Sequence, residues 1–155
     1  MRRDCALLAL AVALSGCGAS IAPPMTPAAQ CKSSTGIAVQ LESVPAGTNG
    51  LCAWTAAMVD GFRARYEQRW GALALDGWTV RIRTAATFSG DHLGTTWTDS
   101  RTIDLVDSQW VILPHELNHV RTGSSHDGWC AEFEPWEETE LGYNERGYLG
   151  CQDAH

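Results

Sequence analysis

The residues best placed to do chemistry lie between positions 113 and 127, which read Leu-Pro-His-Glu-Leu-Asn-His-Val-Arg-Thr-Gly-Ser-Ser-His-Asp. On a helix, His115 and His119 stand four residues apart, so their imidazoles share one face with Cβ atoms roughly 5 to 6 Å apart. That separation suits two nitrogen ligands on one zinc ion. Glu116, beside the first histidine, is placed to take a proton from a metal-bound water without occupying the metal itself. Zinc sites that do chemistry usually take three protein ligands and leave a position for water, so a third donor is needed. Gly123 offers a helix stop, after which Ser124 and Ser125 can turn the chain back to present His126 or Asp127.

His115-Glu-Leu-Asn-His119 resembles the HExxH signature of zincin metallopeptidases, and the downstream glycine followed by a histidine is similar to the extended signature of the metzincin branch. The resemblance implies a small α+β domain in which a twisted sheet and a backing helix support an active-site helix. It implies Zn2+ held by His115, His119 and His126, with Glu116 as general base in peptide-bond hydrolysis. The chain departs from the metzincin pattern in two ways. His126 lies seven residues after His119 rather than six, and Met1, Met25 and Met58 are all upstream, so the downstream methionine turn is missing. Other zincin branches use an aspartate, or a glutamate on a later helix. By that likeness Asp127 is the rival third ligand, and Glu132, Glu134, Glu137, Glu138 and Glu140 stay in reserve. His126 ranks first because imidazole suits zinc and the Gly-x-x-His spacing matches. Zincins that steady the oxyanion with a tyrosine make Tyr143 and Tyr148 candidates for that role, with packing as the alternative for each. Two other functions fit the same residues: a non-catalytic envelope lipoprotein that binds metal or a protein partner, and a zinc amidase acting on peptidoglycan.

The address is read from the first residues. Met1-Arg2-Arg3 is a basic start, and residues 7–14 form an apolar run too short to span a bilayer as a helix. Leu14-Ser-Gly-Cys17 resembles the lipobox of bacterial lipoproteins, which implies cleavage after residue 16 and lipid on Cys17; a conventional secretory signal is the alternative. The resemblance implies a membrane partner reached through the lipid anchor, and a place in the bacterial cell envelope. Gly18 is not the aspartate that signals inner-membrane retention, which favours the outer membrane. Losing residues 1–16 removes Arg2, Arg3 and Asp4 and moves the formal net charge from −7 to about −8. Such an acidic chain disfavours nucleic acid and anionic lipid surfaces as partners. The substrate expected is a peptide or protein, and the expected state is a monomer.

Of the six cysteines, Cys5 leaves with the signal and Cys17 takes lipid. Cys31, Cys52, Cys130 and Cys151 remain, an even number in an exported chain, which reads as two disulfides with three connectivities open. We expect Cys31 with Cys52 and Cys130 with Cys151, each bracing one end of the domain. No Cys-x-x-Cys pair supports a cysteine metal site instead.

The elements that must position these groups follow from periodicity. Residues 17–35, rich in Ala, Pro, Ser and Thr, read as a flexible linker, and residues 36–155 as the domain. Ile37, Val39 and Leu41 alternate as in a strand. Leu51, Trp54, Met58, Phe62, Tyr66 and Trp70 recur at helical spacing, predicting a backing helix over 51–70 with Gly71 as its stop. Residues 79–83 alternate as a half-buried strand, and residues 95–106 form either a hairpin about Asp99-Ser100 or one bent strand. The sheet expected therefore has three or four strands. By likeness to zincins, residues 102–106 are the sheet edge beside the cleft, able to pair with a substrate strand, the alternative being an ordinary edge or inner strand with no substrate role. The metal helix is expected to start from Asp107 or Ser108 and kink at Pro114, the alternative being a start at Pro114 after an extended stretch. Pro135 is expected to split residues 129–141 into two short helices. His92 and His155 read as loop and tail residues.

Overall fold

The computed structural model describes residues 21–88, 92–107, 109–123 and 126–142. Cys17, Tyr143, Tyr148, Cys151 and His155 lie outside the described residues. The fold is α+β: five strands in one sheet and three α-helices. Among the described residues no helix is long and apolar enough to cross a membrane.

The chain enters the sheet earlier than its composition predicts. β1 (Ala29–Lys32) pairs antiparallel with β2 (Ala38–Leu41), with Cys31 opposite Val39. The end of the expected linker is thus a strand. Its own side chains bury little, but the ladder to β2 and the Cys31–Cys52 disulfide hold it in place. Closing a loop of that length typically contributes about 3 kcal/mol. Gly36, at φ 88°, makes the tight turn between the two strands.

From β2 the chain crosses through α1 (Leu51–Trp70) to β3 (Thr79–Arg83), which lies parallel to β2. Gly71 ends α1, as expected, its N–H donating to the Glu67 carbonyl. The buried face of α1 is Thr55, Ala56, Val59, Phe62 and Tyr66, rotated from the expected stripe. Small residues at 55 and 56 let the helix approach the sheet closely. Trp54 is left 51% exposed, with its ring edge-on to Trp110. The core is this face packed on Val39, Leu41, Val80, Ile82, Ile103 and Leu105.

β4 (Gly94–Trp97) and β5 (Thr102–Val106) form an antiparallel hairpin around Asp99 and Ser100. β5 then pairs parallel with β3, giving the order β1-β2-β3-β5-β4. The strand of residues 102–106 is therefore internal, not the edge, and the strand at the margin of the sheet, packed beside residues 113–122, is β4. β3 is not half-buried either. Arg81 is 7% exposed because Asp104, opposite it in the β3–β5 register, accepts from both Arg81 Nε and Nη2 at 2.5 and 2.6 Å, and Arg83, 8% exposed, stands 3.6 Å from Asp104 and 3.6 Å from Glu42. Trp97 Nε1 adds a bond to Asp104 at 3.1 Å, which ties the edge strand into this network.

After β5 comes a 3-10 turn, Trp110–Ile112, and then α2 (Leu113–Thr122). The expected helix from 107 with a kink at Pro114 is replaced by a clean start at Leu113. Pro114 falls in the first turn, where its missing N–H has no intrahelical acceptor to serve, and the residues before it are wound rather than extended. α3 (Trp129–Leu141) is a single helix with Pro135 inside it, not two pieces.

Candidate metal centre

α2 is held from two sides. Tyr66 of α1 donates its buried hydroxyl to Asn118 Oδ1 at 2.8 Å, and Thr96 of β4 stands 3.0 Å from the Glu116 carbonyl. Burial raises the Tyr66 pKa, with Arg121 nearby working against it. Helical spacing of about 100° per residue then puts His119 between His115 and Glu116 in projection. His115 and Glu116 are almost wholly buried, and His119 is partly so. At the helix end Gly123, at φ 81°, donates its N–H to the His119 carbonyl. Its own carbonyl accepts from His119 Nδ1 at 2.8 Å. That bond keeps the proton on Nδ1 and leaves the lone pair on Nε2.

The chain after Gly123 returns His126 to the two helical histidines. His126 Nε2 is 3.4 Å from His115 Nε2 and 3.2 Å from His119 Nε2. A zinc ion at Zn–N distances of 2.0–2.1 Å sets tetrahedral nitrogen–nitrogen edges of about 3.3 Å, so the spacing fits a shared ion. A hydrogen-bonded trio is a poorer account, since a single N–H on His126 Nε2 can serve only one of its two neighbours. The indole of Trp129, 3% exposed, packs against all three imidazoles with ring centroids 4.6–4.8 Å away. This wall fixes the rings and keeps water from one side of the cluster.

Among the described residues two groups could each hold a cation: His115, His119 and His126, and His115 with Glu134 and Glu137. Asp127 belongs to neither and is exposed, as are Glu132, Glu138 and Glu140. Glu134 and Glu137 are fully buried on α3, with Glu137 Oε2 4.0 Å from His115 Nδ1. The two groups share one imidazole. A neutral imidazole has one lone pair, so His115 ligates through one nitrogen while the other carries the proton. The histidine trio is the better donor set, and the Glu137 carboxylate stands on the Nδ1 side of His115.

Glu116 packs against β4. Its Oε2 is 2.7 Å from Thr96 Oγ1. The sequence reading missed Thr96 and Trp129, and held Glu137 only as a ligand in reserve. The run Trp129, Phe133, Glu134, Glu137 at spacings of four, one and three was the available signal, since it puts two aromatics and two carboxylates on one face of a helix. Cys130 is disulfide-bonded, and its expected partner, Cys151, is outside the described residues.

No family model matches the chain, and no curated protein or solved structure matches it.

Proposed function

We propose that this protein is a zinc-dependent peptidase of the bacterial cell envelope, anchored by lipid on Cys17. The observation that carries the reading is the approach of one ring nitrogen from each of His115, His119 and His126 to within 4.8 Å of one another, next in sequence to a buried Glu116. Bound zinc supplies a water with a pKa near 7 and a Lewis acid for the scissile carbonyl. His119 presents its Nε2 lone pair because Gly123 holds its Nδ1 proton, and the Trp129 wall keeps the three rings in place. Glu116 takes the proton of the attacking water and passes it to the leaving amine, a carboxylate acting first as base and then as acid. β4, which pairs among the described strands only with β5, turns its other edge to an extended peptide, whose main chain it can meet with hydrogen bonds.

The test has two parts. Mass spectrometry of the purified protein is expected to find about one zinc per chain. A quenched fluorescent peptide library is expected to be cleaved by the zinc-loaded protein and not by Glu116→Gln, which keeps its metal. Equal cleavage by the two proteins removes Glu116 as the base, and absence of bound transition metal removes the reading altogether.

A further inference from the structure

Gly94 is set apart from most of the described glycines. Eight of the described glycines have positive φ, which explains them as backbone joints, but Gly94 is not among them. What requires a glycine there is space. A Cβ at position 94 would meet Glu116 Oε1 at 2.5 Å, Cγ at 2.8 Å and Cδ at 2.9 Å, all closer than real Cβ contacts. Two residues along the same strand, and so on the same side of the pleat, Thr96 offers its hydroxyl to Glu116 Oε2 at 2.7 Å. The Glu116 carbonyl is also in reach at 3.0 Å, but it lies inside α2, where the helix already supplies a donor, and the charged oxygen is the stronger acceptor.

We infer that β4 is a built-in holder for the Glu116 carboxylate, with Gly94 providing its seat and Thr96 its orienting hydrogen bond. Both are positioning residues, and the inference rests on the reading of Glu116 as the base. A glutamate has three side-chain torsions, and proton transfer needs the carboxylate within hydrogen-bond reach of the attacking water. Misplacing a reacting group by about 1 Å can cost on the order of 100-fold in rate. A strand that carries a gap and a donor at alternate positions removes that freedom before substrate arrives. It also puts the base beside the strand edge to which a peptide would pair, so that substrate and base share one rigid support.

The experiment uses the zinc-loaded protein, the same peptide library, and the variants Gly94→Ala, Thr96→Val and Thr96→Ser. Thr96→Val is expected to lower kcat about 10- to 100-fold with KM within about twofold. Thr96→Ser is expected to restore kcat to within about threefold, which loss of packing alone would not produce, and Gly94→Ala to lower kcat on the order of 100-fold. Zinc content stays at the wild-type level in all three. Crystal structures of the zinc-loaded wild type, Gly94→Ala and Thr96→Val supply a readout independent of turnover: the carboxylate shifts from β4 in each variant while the three imidazoles stay. If the wild type cleaves nothing but the carboxylate shifts in this way, the holder stands and the peptidase reading falls. Native kcat in Thr96→Val, or a carboxylate unmoved in both variant structures, overturns the holder.

Discussion

Two chemistries meet at the two nitrogens of His115. On the Nε2 side stand His119 and His126, neutral nitrogen donors brought in by α2 and by the loop after it. On the Nδ1 side stands Glu137, a fully buried carboxylate brought in by α3 and grouped there with the equally buried Glu134. The first side has lone pairs to give to a cation, and the second has carboxyl oxygens that can accept a hydrogen bond from the ring. If both sides bound metal, His115 would have to lose its last proton. On the proposed reading the sides therefore do different work: ligation from α2, and orientation of the first ligand from α3. Metal-bound histidines commonly use a carboxylate or carbonyl in this way, and His119 does so with the Gly123 carbonyl.

The sharpest way to break this division is to remove one histidine that belongs only to the Nε2 side. His119→Ala is expected to abolish stoichiometric zinc binding at neutral pH, measured by competition with a chromophoric chelator. Retention of tight zinc by this variant, together with its loss in Glu134→Ala, would move the metal to the carboxylate side. Glu116→Gln tests the next level. It removes the proposed general base without touching either side of His115, so turnover is expected to fall about 100- to 10,000-fold with the zinc affinity unchanged. A drop in zinc affinity instead would make Glu116 a ligand.

Glu137→Gln addresses the Nδ1 side directly. Loss of a carboxylate behind a ligating histidine typically costs 10- to 100-fold in metal affinity, and that range is expected here. The effect should be smaller than that of His119→Ala and should leave the zinc stoichiometry intact. Stoichiometric loss of metal would promote Glu137 from an orienting group to a ligand, and an unchanged affinity would leave α3 with a packing role alone.

The same two sides explain what could be read before the fold was known. His115, Glu116 and His119 are legible because a helix converts spacing in sequence into a shared face, and Gly123 with His126 follows within one turn. The α3 contribution depends on which distant surface the helix meets, and on whether it is one helix at all. Pro135 argued for two, since an internal proline costs about 3 kcal/mol. Against that stand Trp129 and Phe133 in the core and the contacts of Phe133 and Trp136 with Tyr66 and Trp70, which are worth more together than the proline costs. Non-local pairing also decided the edge of the sheet. The hairpin was visible as a possibility, but β5 becomes internal only because it pairs with β3, and no local pattern reports that. β1 was lost for the same reason, its order coming from β2 and Cys52 rather than from its own composition.

A second polar cluster, where α1 meets the β1–β2 turn, converges by ordinary hydrogen bonds. Asp60 on α1 accepts from Ser34 N at 2.7 Å, Ser34 Oγ at 2.8 Å and Thr35 Oγ1 at 2.6 Å, pinning the β1–β2 turn to the helix. Here every short contact has a donor and an acceptor. Burial pushes the Asp60 pKa up, but the hydrogen bonds from Thr35 and Ser34 together outweigh it and bring the pKa from 3.8 down to about 2. A folded-state pKa below the unfolded one stabilises the fold above the unfolded value and ceases to do so as pH falls through the folded value. The contribution is therefore present at neutral pH and lost between about pH 4 and pH 2. Because the cluster lies partly in water, its worth is about 1 kcal/mol rather than the larger figure the shift alone implies. Asp60→Asn, which presents an amide to the Ser34 donors, is expected to lower Tm by about 2 to 4 °C at pH 7. The deficit should shrink toward zero near pH 2, and it should be the same with zinc as with a chelator present. A deficit that changes with zinc would mean that the framework and the metal centre are coupled, and the two kinds of polar cluster could not be treated as independent.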